Sequence, residues 1–273
     1  MSVNGELRKL DIAIPSQPES LVKLSLLMAA GDSNLAALAE LIESDMALAA
    51  AVLKAVNSSL YGLKGRVQSV QQAVTYLGMR EVAGITFEMG LRAAFAQAAE
   101  LEPLWQRAAQ RGVLMGRLAQ RLSLDAWAAH SAGLFEECGK AVLFRHAADH
   151  YRAMMRAAAS DSELVTLEHA GFGVSHDALG AALCESWGLA ASAVASVRHH
   201  VVLAATHEFP PQVQRRVIAA LSPVAAALIE RPAALDDVVT ALIPQTELDT
   251  ELVLRMARQL EAELARERAG ERH

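Results

Sequence analysis

The sequence predicts an all-α protein, a multi-helix bundle, and three observations carry that expectation. Apolar residues recur at i, i+3, i+4 and i+7, as in Ala49, Val52, Leu53 and Val56, a spacing that gathers them on one helix face. Capping pairs such as Ser69 with Gln72 and Ser160 with Glu163 stand ahead of apolar runs, where each side chain satisfies an amide the other leaves open. No stretch alternates polar and apolar residues as a half-buried strand would. Hydrophobic residues make up 53% of the 273, with only 4% aromatic. That balance, mostly Ala, Leu and Val, suits closely packed helices.

Taken in order, residues 1–13 read as a lead-in, and Ile14-Pro15 opens a polar corner that ends at Ser20. A short apolar helix is expected over Leu21–Ala30, closed by Gly31. Asp32 or Ser33 caps the next, whose stripe is Leu35, Leu38, Ala39 and Ile42. Ser44 or Asp45 caps the helix that carries Ala49 to Val56. Asn57, Ser58 and Ser59 interrupt its face, and Gly62 and Gly65 let the chain turn. Asn57 is expected to cap that helix and tie down the Ser59–Val67 loop, with direct ligand contact as the functional alternative. Val70, Ala73, Val74 and Leu77 form the next stripe, and Gly78 suits its end. Arg80–Ala99 reads as one longer helix, in which Gly84 and Gly90 allow close packing.

Pro103 fits the first turn of the following helix, where its missing N–H costs nothing. Ala108, Gly112, Met115, Ala119 and Leu122 mark its buried face. Arg107, Arg111, Arg117 and Arg121 are read as a solvated face of the same helix, and Trp105 and Trp127 as core anchors. Short helices follow over Ala126–Cys138 and Lys140–His146. Another opens at Ser160 and ends near Gly171-Phe172-Gly173. Ser175 caps a helix with Leu179, Ala182, Leu183 and Trp187 inward, and Gly188 stops it. Ala190–Val202 is one more. Beyond Pro210-Pro211 come helices broken by Pro232 and Pro244, the last from Glu247 to Glu267, with Val253, Met256, Ala257, Leu260 and Leu264 in register.

Several function classes are disfavoured. No apolar run reaches the roughly 18 residues of a membrane span, and the N-terminus lacks a signal peptide's apolar core, so a cytoplasmic protein with no membrane partner is expected. A net charge of −6 argues against a nucleic-acid partner, which would favour a basic face. Neither G-x-G-x-x-G nor a Walker-type loop occurs. Cys138 and Cys184 are far apart and outside any C-x-x-C pair, so buried free thiols are expected.

The segment Ser44–Gly78, SDMALAAAVLKAVNSSLYGLKGRVQSVQQAVTYLG, resembles the HDOD family, the non-catalytic relatives of the HD phosphohydrolases. That family's pattern is a D-P-x-L helix, then N-S-x-x-Y/F, then S-I-x-x-A-I-x-x-L-G. Asp45, Asn57, Ser58 and Gly78 match it, while Met46 replaces the usual Pro. The likeness runs from about Ile14 to about His200. It implies an HDOD domain over 14–208, with an N-terminal helical part (14–100) and a degenerate HD-like part (101–208). Residues 209–273 are then a C-terminal helical extension.

Gly133-Leu134-Phe135-Glu136-Glu137-Cys138-Gly139-Lys140 resembles the G-L-L-H-D-I-G-K run of HD hydrolases. There the adjacent His and Asp bind a metal that lowers the pKa of bound water. Here Glu136 replaces the His and Glu137 the Asp, removing a nitrogen ligand suited to transition metals. Glu168, His176 and His199-His200 resemble the spacing of later ligands in HD-GYP hydrolases, but the G-Y-P loop is absent, and His207-Glu208-Phe209-Pro210 does not match it. The expectation is a degenerate pocket with no catalytic residue, no metal and no cofactor. A metal held by Glu136, Glu137, His176, His199 and His200 is the alternative. The resemblance implies a non-enzymatic bacterial signal-transduction module that binds a signalling protein partner or a small regulatory ligand. The rivals are a residual metal-dependent phosphohydrolase acting on a nucleotide or cyclic dinucleotide, and a nucleic-acid regulator using the Arg107–Arg121 face.

Overall fold

Side-chain caps start many of the helices. In the computed structural model, which describes residues 12–30, 34–57, 66–95 and 98–269 with side chains to 266, Asp45 accepts from the amides of Ala47 and Leu48. Ser69 accepts from Gln72, while the Gln72 side chain accepts from the Gln68 amide. Ser160 and Glu163 make the corresponding box, with Glu163 reaching back to the Ala159 amide. Asn34 caps the second helix by accepting from the Ala37 amide. Asp32, Ser33, Gly31, Ser58, Ser59, Gly62 and Gly65 lie outside the described residues.

The helices are α1 (Glu19–Ala29), α2 (Leu35–Glu43), α3 (Met46–Val56), α4 (Val70–Leu77) and α5 (Met79–Ala93). They continue with α6 (Glu102–Arg121), α7 (Ala126–Phe135), α8 (Cys138–His146), α9 (Ala148–Ala157) and α10 (Asp161–Phe172). The last are α11 (His176–Ser186), α12 (Ala191–Thr206), α13 (Arg216–Glu230), α14 (Leu235–Leu242) and α15 (Thr250–Ala269). No strand occurs among the described residues, so the fold is all-α.

The chain divides into two compact units, Ser16–Gln97 and Ala98–His273, the latter joined by the chain up to Pro15. In the first, α5 packs against α1, α2, α3 and α4. Leu21, Leu24, Leu38, Ile42, Val52, Val56, Val82, Ile85 and Leu91 form its interior. Leu35 is half exposed rather than part of the α2 stripe, and Leu48 joins Val52 and Val56 on the buried face of α3. Helix α5 ends at Ala93, short of the expected Ala99, and a separate 3₁₀ turn covers Ala99–Leu101.

In the second unit, α6 lies along α7, and α12 packs on α7, α11 and α13. The 209–273 segment belongs to the same interior: Val224, Leu228, Leu242, Val253 and Leu260 share one core with Met115, Leu118 and Leu203. Pro103 stands in the first turn of α6. Pro223 lies inside α13, although Pro disfavours helix interiors. Helix α9 has no counterpart among the expected elements. Trp105 is buried, whereas Trp127 is half-buried and stacks on His130 at 6.0 Å.

Asn57 closes the corner after α3. Its amide donates to the Leu53 and Val67 carbonyls at 2.9 and 2.8 Å, and its oxygen accepts from the Val67 amide at 3.2 Å. Asn57→Leu is therefore expected to strand partly buried backbone groups and cost about 1–3 kcal/mol. A urea titration checks this, and an unmoved midpoint with a lost binding activity would favour a ligand role instead.

Candidate functional site

Two glycines let four helices meet. A Cβ on Gly133 would come within 2.7–2.8 Å of the Arg111 and Gly112 backbone, so α7 lies directly against α6 there. A Cβ on Gly139 would fall 1.8 Å from the His176 carbonyl oxygen and 2.9 Å from the Gly180 nitrogen, so α8 lies against α11. Between these glycines run Glu136 and Glu137, at the joint of α7 and α8. Both are shut away from solvent, at 0% and 1% exposed.

Each acid meets a cation. The Arg111 guanidinium donates to Glu136 Oε2 at 2.9 Å and lies 3.8 Å from Glu137 and 3.5 Å from Glu230. The Lys140 ammonium lies 2.9 Å from Glu137 Oε2 and donates to Asp161 at 2.8 Å, and Arg107 approaches Glu137 at 3.5 Å. Burial alone would raise the Glu137 carboxyl, but Lys140, Arg111 and Arg107 overcome it and hold the group well below the usual carboxylate range. Burial likewise opposes the charge on Arg111 and Lys140, and their carboxylate neighbours raise both above their ordinary values. Burial pushes the Cys138 thiol far up, with Cys184 and Glu137 adding to it, the wrong direction for a nucleophile.

The downstream half forms a second layer. Glu168 is fully buried and accepts from the Tyr151 hydroxyl at 2.6 Å, the His176 amide at 2.8 Å and His176 Nδ1 at 2.8 Å. This carboxylate on α10 thus serves the first turn of α11. Ser175, expected as the cap, instead donates its hydroxyl to Asp177. His200 Nδ1 faces the Val197 carbonyl at 2.7 Å, and the His176 and His200 rings meet edge to face at 5.5 Å. Neither Glu168 nor the Val197 carbonyl offers a proton, so each Nδ1 is the donor. Burial lowers His200 below the usual imidazole range, against the pull of Glu136.

Glu136, Glu137, Glu168, His176 and His200 therefore lie buried in one unit, while His199 is only half-buried. Asp45 and Asn57 cap opposite ends of α3, and Gly78 takes φ +84° between α4 and α5. The expected solvated arginine face does not hold at Arg111, which is 9% exposed. A signal for this was present, since Arg111 stands three residues after Ala108 and four before Met115, on the face they bury. The motif run ends on Lys140, three residues from its partner Glu137, whereas Tyr151 and Asp161 stand outside every motif and meet Glu168 and Lys140 from other helices, which periodicity does not report.

As a metal site the centre fits poorly. Among the described residues no three of His, Cys, Asp and Glu are placed to hold an ion together. Both acids at the HD positions already carry protein cations.

The HDOD domain family model matches residues 14–202. The chain belongs to the HDOD family. It is 27% identical over 204 residues to an uncharacterised protein of Treponema pallidum (strain Nichols), covering 72% of this chain but 40% of that one. An HDOD domain protein of unknown function from Geobacter sulfurreducens shares the fold at TM-score 0.71 and 20% identity, with 96% and 93% of the two chains covered. A candidate signal transduction protein from Marinobacter aquaeolei VT8 superposes at TM-score 0.70 and 25% identity, covering 94% of this HDOD chain and 58% of that one. A candidate phosphohydrolase from Shewanella amazonensis SB2B matches at TM-score 0.66 and 19% identity over 94% and 93%. The HDOD chain thus spans well under two thirds of the Treponema and Marinobacter proteins. No helix among its described residues is long and apolar enough to cross a membrane.

The buried ionisable groups set a pH dependence. Folding keeps His200 neutral where the unfolded imidazole, near 6.5, takes a proton, so its share of stability is complete above that pH and falls below it. Folding keeps Glu137 ionised, so its share is complete above about 4.5 and is lost as the pH falls further. Urea midpoints should decline in two stages between pH 7 and 4, and His200→Gln should flatten the upper stage. A constant midpoint down to pH 5 would contradict this.

Proposed function

We propose that this HDOD chain is a non-enzymatic regulatory module that acts by binding a signalling protein or a small regulatory ligand. The observation carrying the reading is the pairing of Glu136 and Glu137 with Arg111 and Lys140. A hydrolase of the HD type needs those two positions to hold a metal and ionise water. Here they are committed to internal ion pairs and closed to solvent. Likeness to a candidate signal transduction protein supports a regulatory role. The burial of Arg111 also weakens the basic face a nucleic acid would need.

The rival, a residual phosphohydrolase, draws support from the facing His176 and His200 rings and from the Shewanella neighbour. Affinity capture from the native host, with native mass spectrometry of the purified chain, separates them. A protein held at near one-to-one ratio, or a small molecule retained at fixed mass, supports the module. Neither being retained, together with metal-dependent hydrolysis of phosphodiesters, would support the rival.

A further inference from the structure

Beyond the regulatory reading, and whichever partner that reading takes, we propose that Glu168 anchors two latches, Trp187 on Pro15 and Arg152 on Glu100. Through them the buried layer governs how firmly the chain is held where it passes between its two units.

The chain makes that passage twice, after Pro15 and again before Ala98. Pro15 is buried, and its carbonyl accepts from the Trp187 indole N–H at 2.9 Å across 172 residues. The indole has a single donor, and a buried donor left unpaired is costly, so this bond resists opening. Just past the second crossing, Glu100 accepts from Arg152 Nε and Nη2 at 3.0 and 2.7 Å. The same guanidinium lies 5.5 Å from the centre of the Phe144 ring.

Both latches lead back to one carboxylate. Trp187 is the C-cap of α11, whose first residue, His176, gives its amide and Nδ1–H to Glu168. Arg152 follows Tyr151 on α9, and the Tyr151 hydroxyl donates to Glu168 at 2.6 Å. With 11 residues, α11 is a rod roughly 15 Å long. It lies against α8 where Gly180 meets Gly139, and Trp187 meets the Phe135 ring edge to face at 5.5 Å. A shift of its first turn is therefore carried to the indole, because coupling travels through packed side chains, hydrogen bonds and rigid elements. Glu168 is 0% exposed, so water does not replace a donor that moves away.

The test is hydrogen exchange of the full chain, read by mass spectrometry on peptides covering 16–22 and 98–104. The first holds the Leu21 and Val22 amides, bonded to the Pro18 carbonyl, and the second the Leu101 amide, bonded to Ala98. Glu168→Gln and Tyr151→Phe should each speed exchange at both crossings, by about tenfold or more at the first. The effect should be smaller at the second, whose ion pair is partly open to solvent. Trp187→Phe should act at the first crossing alone and Arg152→Gln at the second alone. Leu260→Ala, a fully buried change in the same unit, should lower the melting temperature yet leave both peptides unchanged. If Glu168→Gln does not fold, Tyr151→Phe, which removes only a hydroxyl, is read in its place. Exchange unchanged at either crossing in the Glu168 or Tyr151 variant, or an equal acceleration in Leu260→Ala, would overturn the proposal.

Discussion

Gly139→Ala is expected to destabilise the protein by about 3 kcal/mol or more, at or beyond the upper end of ordinary overpacking. The added methyl would meet the His176 carbonyl oxygen at 1.8 Å, its carbon at 2.6 Å and the Gly180 nitrogen at 2.9 Å. All three are backbone atoms, so no rotamer change relieves the contact. Helix α11 would have to move away from α8, drawing His176 from Glu168 and opening the layer above the acid pair. Gly180→Ala is the comparison, because its contacts are looser, a Val197 methyl at 3.0 Å and the Phe135 carbonyl oxygen at 3.3 Å, and its cost should be the smaller of the two. Thermal or urea unfolding of the two variants decides the matter. A Gly139→Ala midpoint within about 0.5 kcal/mol of the unaltered chain, the usual range for a harmless surface change, would contradict the close approach.

Lys140→Met is expected to cost about 3–5 kcal/mol, the usual consequence of removing one partner of a buried ion pair. Lys140 is 4% exposed and holds Glu137 and Asp161 together at 2.9 and 2.8 Å. Without it Glu137 keeps Arg111 at 3.8 Å and Arg107 at 3.5 Å, both too long for a direct hydrogen bond. The Glu137→Leu, Lys140→Met double variant should recover much of the loss, because it removes the stranded charge with its partner. Asp161 is partly open to solvent and can rehydrate. Equilibrium unfolding of the two single variants and the double gives the coupling directly. A Lys140→Met cost below about 1 kcal/mol would show that the pair matters little.

Much of the fold was legible because its signals are local. Capping pairs at Ser69–Gln72 and Ser160–Glu163, and stripes such as Ala108, Gly112, Met115 and Ala119, depend on residues a few positions apart, and these positions hold in the structure. Boundaries were less secure where signals competed. Asn34 stands next to the expected Asp32 and Ser33 and does the capping, and Ala-rich sequence past Ala93 reads as helix though α5 has ended. Helix α9 has no clear stripe in the sequence because Asp149, His150, Arg152 and Arg156 interrupt its apolar residues, and only Tyr151 of it is fully buried. The acids and two of the three histidines of the site could be named from motif spacing. Arg111 could not, since it meets Glu136 across 25 residues, and although Lys140 closes the motif three residues after Glu137, its second partner Asp161 lies 21 residues away. A polar side chain on an apolar face is visible in sequence, whereas its partner on another helix is a property of packing.

The central claim is that Glu136 and Glu137 are engaged by protein cations and do no metal-dependent chemistry. It is tested most directly by metal analysis of the purified chain, with cyclic dinucleotide and simple phosphodiester hydrolysis measured in the same preparation with added manganese or iron. The expected result is well under one metal per chain and no turnover above the protein-free control. About one tightly bound transition metal per chain, with a turnover that His176→Ala abolishes, would contradict it.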